Sequence, residues 1–159
     1  DNISWIVCNK IFKKEIFDQL RFEKIYYEDN YMVAQVLEQI NALKIIEQGI
    51  YYYHHRENST TTSPHSMEKD IDTQKVNCRI YKNVKKYNLV NAKVILQSKI
   101  INVEKSLTVN YNKKSLLHNL QNEISLFSVF RSNLPMKEKF KLAIVKTQGL
   151  KWCISKSLK

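Results

Sequence analysis

Across its full length of 159 residues the chain contains only two glycines, Gly49 and Gly149, and two prolines, Pro64 and Pro135. Glycine supplies the tight turns and close backbone approaches of phosphate-binding loops, so this scarcity excludes the Gly-rich phosphate loops of both common types. Proline and glycine are also the strongest local breaks in a helix, and with so few of them the sequence predicts long helices. The length suits one domain or slightly more and can bury a sizeable core.

Apolar spacing supports this expectation beyond Pro64. Val76, Ile80, Val84 and Tyr87 form one helical stripe. Leu96, Ile100, Val103 and Leu107 form a second, Leu116, Leu120, Ile124 and Phe127 a third, and Met136, Phe140 and Ile144 begin a fourth. Such stripes are read as helix–helix core.

The first part of the chain is mixed. Residues 10–20 predict a short helix through Phe12, Ile16 and Leu20, and residues 21–27 a loop or short strand. From Asp29 a helix is predicted with Tyr31, Val33, Val36, Leu37, Ile40 and Leu43 on its broad apolar face. Residues 43–56, LKIIEQGIYYYHHR, predict a strand, a turn at Gly49 and a second strand. Alternation there places Tyr52, His54 and Arg56 on one face.

Charge divides the chain at the same place as the pattern. Residues 1–63 carry 7 basic and 9 acidic side chains, and residues 64–159 carry 19 basic and 6 acidic. The boundary falls near NSTTTSPHS, which reads either as a plain linker or as a mobile lid. Cys8, Cys78 and Cys153 are scattered, with no metal-ligand spacing, and predict buried thiols in a reducing compartment. No apolar run is long enough to span a bilayer.

Glu28 and Asp29 stand side by side at the predicted start of a helix. The plain reading is a favourable charge at a helix N-terminus. Successive residues there diverge, so the pair does not suit a reaction needing two matched carboxylates. It suits one that needs a single base.

Four short motifs occur in order around this pair. NK at Asn9 and Lys10 is followed by RF at Arg21 and Phe22, ED at Glu28 and Asp29, and Y-x-Y-x-x-R-x-x-S at Tyr51, Tyr53, Arg56 and Ser59. Over about residues 5–63 this resembles the second half of a bacterial family 2 glycosyltransferase of the GT-A fold. Cys8 replaces the tryptophan of the family's first motif.

The resemblance implies an α+β, mostly α chain: the C-terminal part of a GT-A domain (1–63) followed by a basic helical extension (64–159). It implies an inverting transfer of sugar from a nucleotide-diphosphate sugar to a hydroxyl of a glycan or lipid-linked acceptor, in polysaccharide synthesis. Asp29 would be the base and Glu28 its neighbour orienting the acceptor or the helix start. Arg56, Ser59, Asn9 and Lys10 would bind substrate. Arg56 reads equally as a surface arginine, and His54 is a candidate metal ligand or a plain surface or core histidine. The full-length enzyme would use a divalent metal, Mg or Mn, with none expected on this fragment. Asp70-Ile71-Asp72 copies the family's metal-binding D-x-D but follows the ED motif, inside an apparent helix, and is read as a solvated helix face. The nucleotide-binding half is therefore expected to lie in sequence upstream of residue 1, leaving this chain inactive alone. The expected location is cytoplasmic, or peripheral on the inner face of the cell membrane.

The basic extension leaves two further readings open. Seven lysines against one acidic residue between Lys137 and Lys159 favour an anionic membrane surface over nucleic acid. A soluble bundle with solvated lysines is the plain alternative. A non-enzymatic basic helical module, binding an anionic membrane or nucleic acid, is the rival to the enzyme reading as a whole.

Overall fold

The computed structural model describes residues 5–46, 48–52, 54, 64–111 and 120–149. Among them the chain is mostly helical, with α1 at Glu28–Gln39, α2 at Met67–Lys86, α3 at Val90–Tyr111, α4 at Leu120–Glu123, α5 at Leu126–Arg131 and α6 at Met136–Gln148. A single 3-10 turn at Lys14–Asp18 takes the place of the longer helix expected over 10–20.

Helix α2 starts where its sequence provides a cap. Ser66 is extended, and its hydroxyl accepts the Lys69 N–H at 3.2 Å, satisfying one donor that the helix itself leaves open. Ser66→Ala should therefore cost about 1 kcal/mol, and Ser66→Asp should restore it. Thermal denaturation would show the loss as a fall of roughly 2–4 °C.

At its other end α2 closes with an Asn in place of Gly. Asn88 takes the left-handed conformation at φ 52°. Its N–H reaches Lys85 O at 3.2 Å and Leu89 N–H reaches Val84 O at 3.0 Å. These are the two bonds of a Schellman closure, and Asn is the non-glycine residue that tolerates it best.

The closure returns the chain as α3, antiparallel to α2. Successive contacts run in opposite directions along the two helices. Ser106 donates to Asp70 at 2.7 Å, Gln74 to Glu104 at 2.8 Å, and Gln97 to the Tyr81 hydroxyl at 3.0 Å. Buried polar pairs of this kind leave a slipped helix with unsatisfied groups, so they specify the register that the apolar stripes alone would not. Val76, Ile80 and Val84 from α2 and Leu96, Ile100 and Leu107 from α3 are buried, as their spacing predicted. Tyr87 is 48% exposed at the end of its stripe, and its hydroxyl reaches back to Leu37 O of α1 at 3.0 Å.

Helix α1 is buried on two sides. Tyr31 and Ala34 enter the main cluster with Val76, Ile80 and Ile101. Met32 and Val36 join Leu20 in a second cluster, against Val7, Phe12, Ile16 and Phe17. This explains the run of consecutive buried residues Tyr31, Met32, Val33 and Ala34, which a helix facing one partner would not show. Asn83 donates to Ala34 O at 2.7 Å, and Arg79 pairs with Glu38, so α1 and α2 are tied by polar groups as well.

Three expectations fail here. First, no strand occurs among the described residues, so the strand–turn–strand reading of 43–56 is not realised in residues 43–46 and 48–52. Leu43, Ile45, Ile46, Ile50, Tyr51 and Tyr52 are all at least half exposed or nearly so, at 49 to 81%. Their strand propensity has no neighbouring ladder to express it. Second, the third stripe breaks: the chain leaves the helix at Ile124 and Ser125, Ser125 caps α5 by accepting the Ser128 N–H, and Phe127 is 70% exposed. Leu116 lies outside the described residues. Third, α6 buries Leu142 and Val145, while Met136 and Phe140 face outward at 55% exposure each.

Candidate active site

The site is built at the N-terminus of α1. Tyr27 precedes the helix in the left-handed conformation, φ 61° and ψ 37°, and supplies no side-chain cap. A tyrosine held there stores roughly 1–2 kcal/mol of backbone strain. The turn is held from outside: Tyr26 N–H donates to Asp72 Oδ2 of α2 at 2.8 Å, and the Lys69 ammonium lies 5.5 Å from the centre of the Tyr26 ring. The chain thus reverses just ahead of the carboxylates and leaves Glu28 and Asp29 in the first helical turn. Unpaired N–H groups and the helix dipole favour negative charge there.

The two carboxylates have different surroundings. Glu28 is exposed, whereas Asp29 is half-buried. Asp29 Oδ2 accepts the Val7 N–H at 3.4 Å. Lys10, three residues further along the same loop, donates through Nζ to Ile6 O at 2.6 Å and to Asn9 Oδ1 at 2.8 Å. Burial pushes the Lys10 ammonium below its ordinary pKa, while the attraction of Asp29, and more weakly of Cys8, opposes that shift. Lys10 therefore sits within the field of Asp29. The Asn9–Lys10 loop and the Glu28–Asp29 turn, far apart in sequence, meet around one carboxylate. Chemically the arrangement offers one half-buried carboxylate against the loop that carries Lys10, with Glu28 exposed to solvent.

The other motif residues are placed less centrally. Arg21 is exposed and donates to its neighbour's carbonyl, Leu20 O, at 2.7 Å, and Phe22 is 49% exposed. His54 is exposed. Tyr53, Arg56 and Ser59 lie outside the described residues, as does Cys153. Among the described residues no three His, Cys, Asp or Glu side chains come together as a metal site. No chemical step is assigned to a divalent cation.

Asp70 and Asp72 correct their expected role. They do lie on a helix, but not on a solvated face: Asp70 is 5% exposed, between His65 Nε2 at 2.9 Å and the Ser106 hydroxyl at 2.7 Å. Asp72 is occupied by the Tyr26 N–H. One aspartate thus anchors α3 to the start of α2, and the other secures the turn before Glu28. Sequence reasoning missed this second role because the partners are 46 residues apart with no local signal. The expectation of buried thiols also needs correction, since Cys8 is exposed. Cys78 is half-buried, and burial together with the nearby Glu104 charge raises its thiol pKa.

No protein-family model, curated protein or solved structure matches this chain.

Proposed function

We propose that this chain is the acceptor-side portion of an inverting family 2 glycosyltransferase, with Asp29 as its general base. The observation that carries the reading is the Val7 N–H donated to Asp29 Oδ2 at 3.4 Å, which brings the loop carrying Asn9 and Lys10 to that carboxylate. Two of the four ordered motifs share one place in space, which their order alone did not require. In the reaction, Asp29 takes the proton of the acceptor hydroxyl as its oxygen attacks the anomeric carbon of the donor. The bond to the diphosphate breaks as the new glycosidic bond forms, and the single displacement inverts the centre. Glu28 orients the acceptor side, and Asn9 and Lys10 hold polar substrate groups beside the base. Arg56 and Ser59 complete the diphosphate side in the family pattern.

A second feature supports the same reading. Among the described residues, 43–46 and 48–52 of this apolar, strand-forming segment are exposed and in no ladder. A GT-A sheet supplied by sequence other than these residues gives that segment its partner and provides the donor site.

The test has two arms. The 159-residue chain, titrated calorimetrically with UDP and other nucleoside diphosphates in manganese, should show no binding in the micromolar range. Micromolar, metal-dependent binding would place the donor site within this chain and overturn the division proposed. The full-length protein should release nucleoside diphosphate from one of a panel of sugar nucleotides when given glycan or lipid-linked acceptors. Absence of release across the panel overturns the enzyme assignment.

A further inference from the structure

Helices α5 and α6 turn an aromatic edge outward. Phe127, Phe130, Met136 and Phe140 are 70%, 47%, 55% and 55% exposed. They form one surface. Phe127 and Phe130 are neighbours across a turn of α5, and Met136 and Phe140 are neighbours across a turn of α6. The Phe130 and Phe140 rings join the two helices edge to face, 6.3 Å between centres. The same helices already satisfy the core from their other sides, through Val129, Leu142 and Val145. Packing therefore does not require these aromatic groups, and a contiguous apolar surface left in water signals a contact.

The rim of this surface has one sign. Arg131, Lys137 and Lys139 flank these residues along their own helices, and Glu138 is the single acidic residue between Leu126 and Gln148. Glu138 is turned to α3: it accepts from the Ser98 hydroxyl, and Lys141 donates to it at 2.9 Å. Two of the cations contact this surface. The Arg131 guanidinium sits 5.1 Å from the centre of the Phe127 ring, and Lys139 Nζ donates to Phe130 O at 3.0 Å.

We propose that the α5–α6 edge docks this protein on an anionic membrane surface. The rings and Met136 enter the boundary between headgroups and acyl chains, while the basic side chains remain at the phosphate level. Nucleic acid fits this surface less well. Base stacking needs open ring faces, but Phe127 has one face covered by Arg131, Phe130 and Phe140 are engaged edge to face, and Met136 offers no plane. No helix among the described residues is long and apolar enough to cross a membrane. The proposal stands on these residues alone and does not depend on the glycosyltransferase reading.

Co-sedimentation of the full chain with vesicles tests it. Wild-type protein should pellet with vesicles of mixed phosphatidylglycerol and phosphatidylcholine, remain in solution with phosphatidylcholine alone, and be released by salt as screening shortens. Phe127→Ala with Phe140→Ala should weaken partitioning roughly tenfold or more while lowering the thermal transition by no more than about 2–4 °C, because both side chains are largely exposed. Arg131→Gln with Lys137→Gln should weaken it by roughly fivefold per charge. Sedimentation with both kinds of vesicle or with neither, or wild-type partitioning by the double phenylalanine variant, overturns the proposal. Tighter binding to a single-stranded oligonucleotide than to anionic vesicles also overturns it and assigns the surface to nucleic acid.

Discussion

Under the proposed glycosyltransferase function, Asp29→Asn in the active enzyme should lower turnover by about 10²–10⁴-fold, the usual contribution of a general base. Donor affinity should stay near normal. The structural cost should be small, because asparagine keeps the shape of the side chain and its carbonyl oxygen can still accept the Val7 N–H that Asp29 Oδ2 accepts. What is lost to stability is one charge in the first turn of α1 and its attraction for Lys10, roughly 0.3–1 kcal/mol for the helix-end charge. In a protein of this size each kcal/mol corresponds to about 2–4 °C. Activity and melting temperature therefore separate the two roles by magnitude. A base gives collapsed turnover with a nearly unchanged transition. A mere helix-end charge gives nearly unchanged turnover with a small thermal shift. Glu28→Gln is the internal control. Glu28 is exposed and Asp29 half-buried, so the neighbour should lose much less activity. Near wild-type turnover by Asp29→Asn ends the catalytic assignment.

The largest stability effect is expected in α6, and it distinguishes two faces of one helix. Leu142 is fully buried in the main cluster, whereas Phe140, two residues earlier, is 55% exposed. Leu142→Ala removes buried methyl groups and leaves a cavity, which should cost about 2–5 kcal/mol. Phe140→Ala trims a surface ring and should cost no more than about 1 kcal/mol, chiefly its edge-to-face contact with Phe130. Urea denaturation of the two variants measures both. Equal losses, or a greater loss at Phe140, would mean that α6 packs through its Met136–Phe140 stripe and would remove the exposed edge on which membrane docking rests.

The sequence by itself determined that this chain is mostly helical and where most of the helices run. That information is local. Few glycines and prolines leave few breaks, Ser66 caps α2 through the backbone three residues on, and Asn88 closes it within its own turn. The stripes of α2 and α3 were legible because each helix has one dominant partner. The place of Glu28 and Asp29 in a first helical turn was legible for the same reason, since charge and helix end are neighbours in sequence.

Only the tertiary structure decided the rest. Spacing in α6 marks a stripe through Met136, Phe140 and Ile144, whereas packing against α3, α4 and α5 buries Leu142 and Val145 instead. Segment 43–52 has the composition of a strand, but a strand exists only with a partner, and composition does not provide one. Asp70 reads as a surface charge until Ser106 and His65 enclose it. Asp72 reads as a decoy until Tyr26 donates to it. Lys10 reads as part of a motif, and only folding brings the loop that carries it to Asp29, through the Val7 N–H. In each case the deciding group lies many residues away, or is the free backbone of another segment. Periodicity and propensity describe what a residue can do with its neighbours along the chain, whereas burial, ion pairing and a carboxylate's surroundings are set by groups that meet it only after folding.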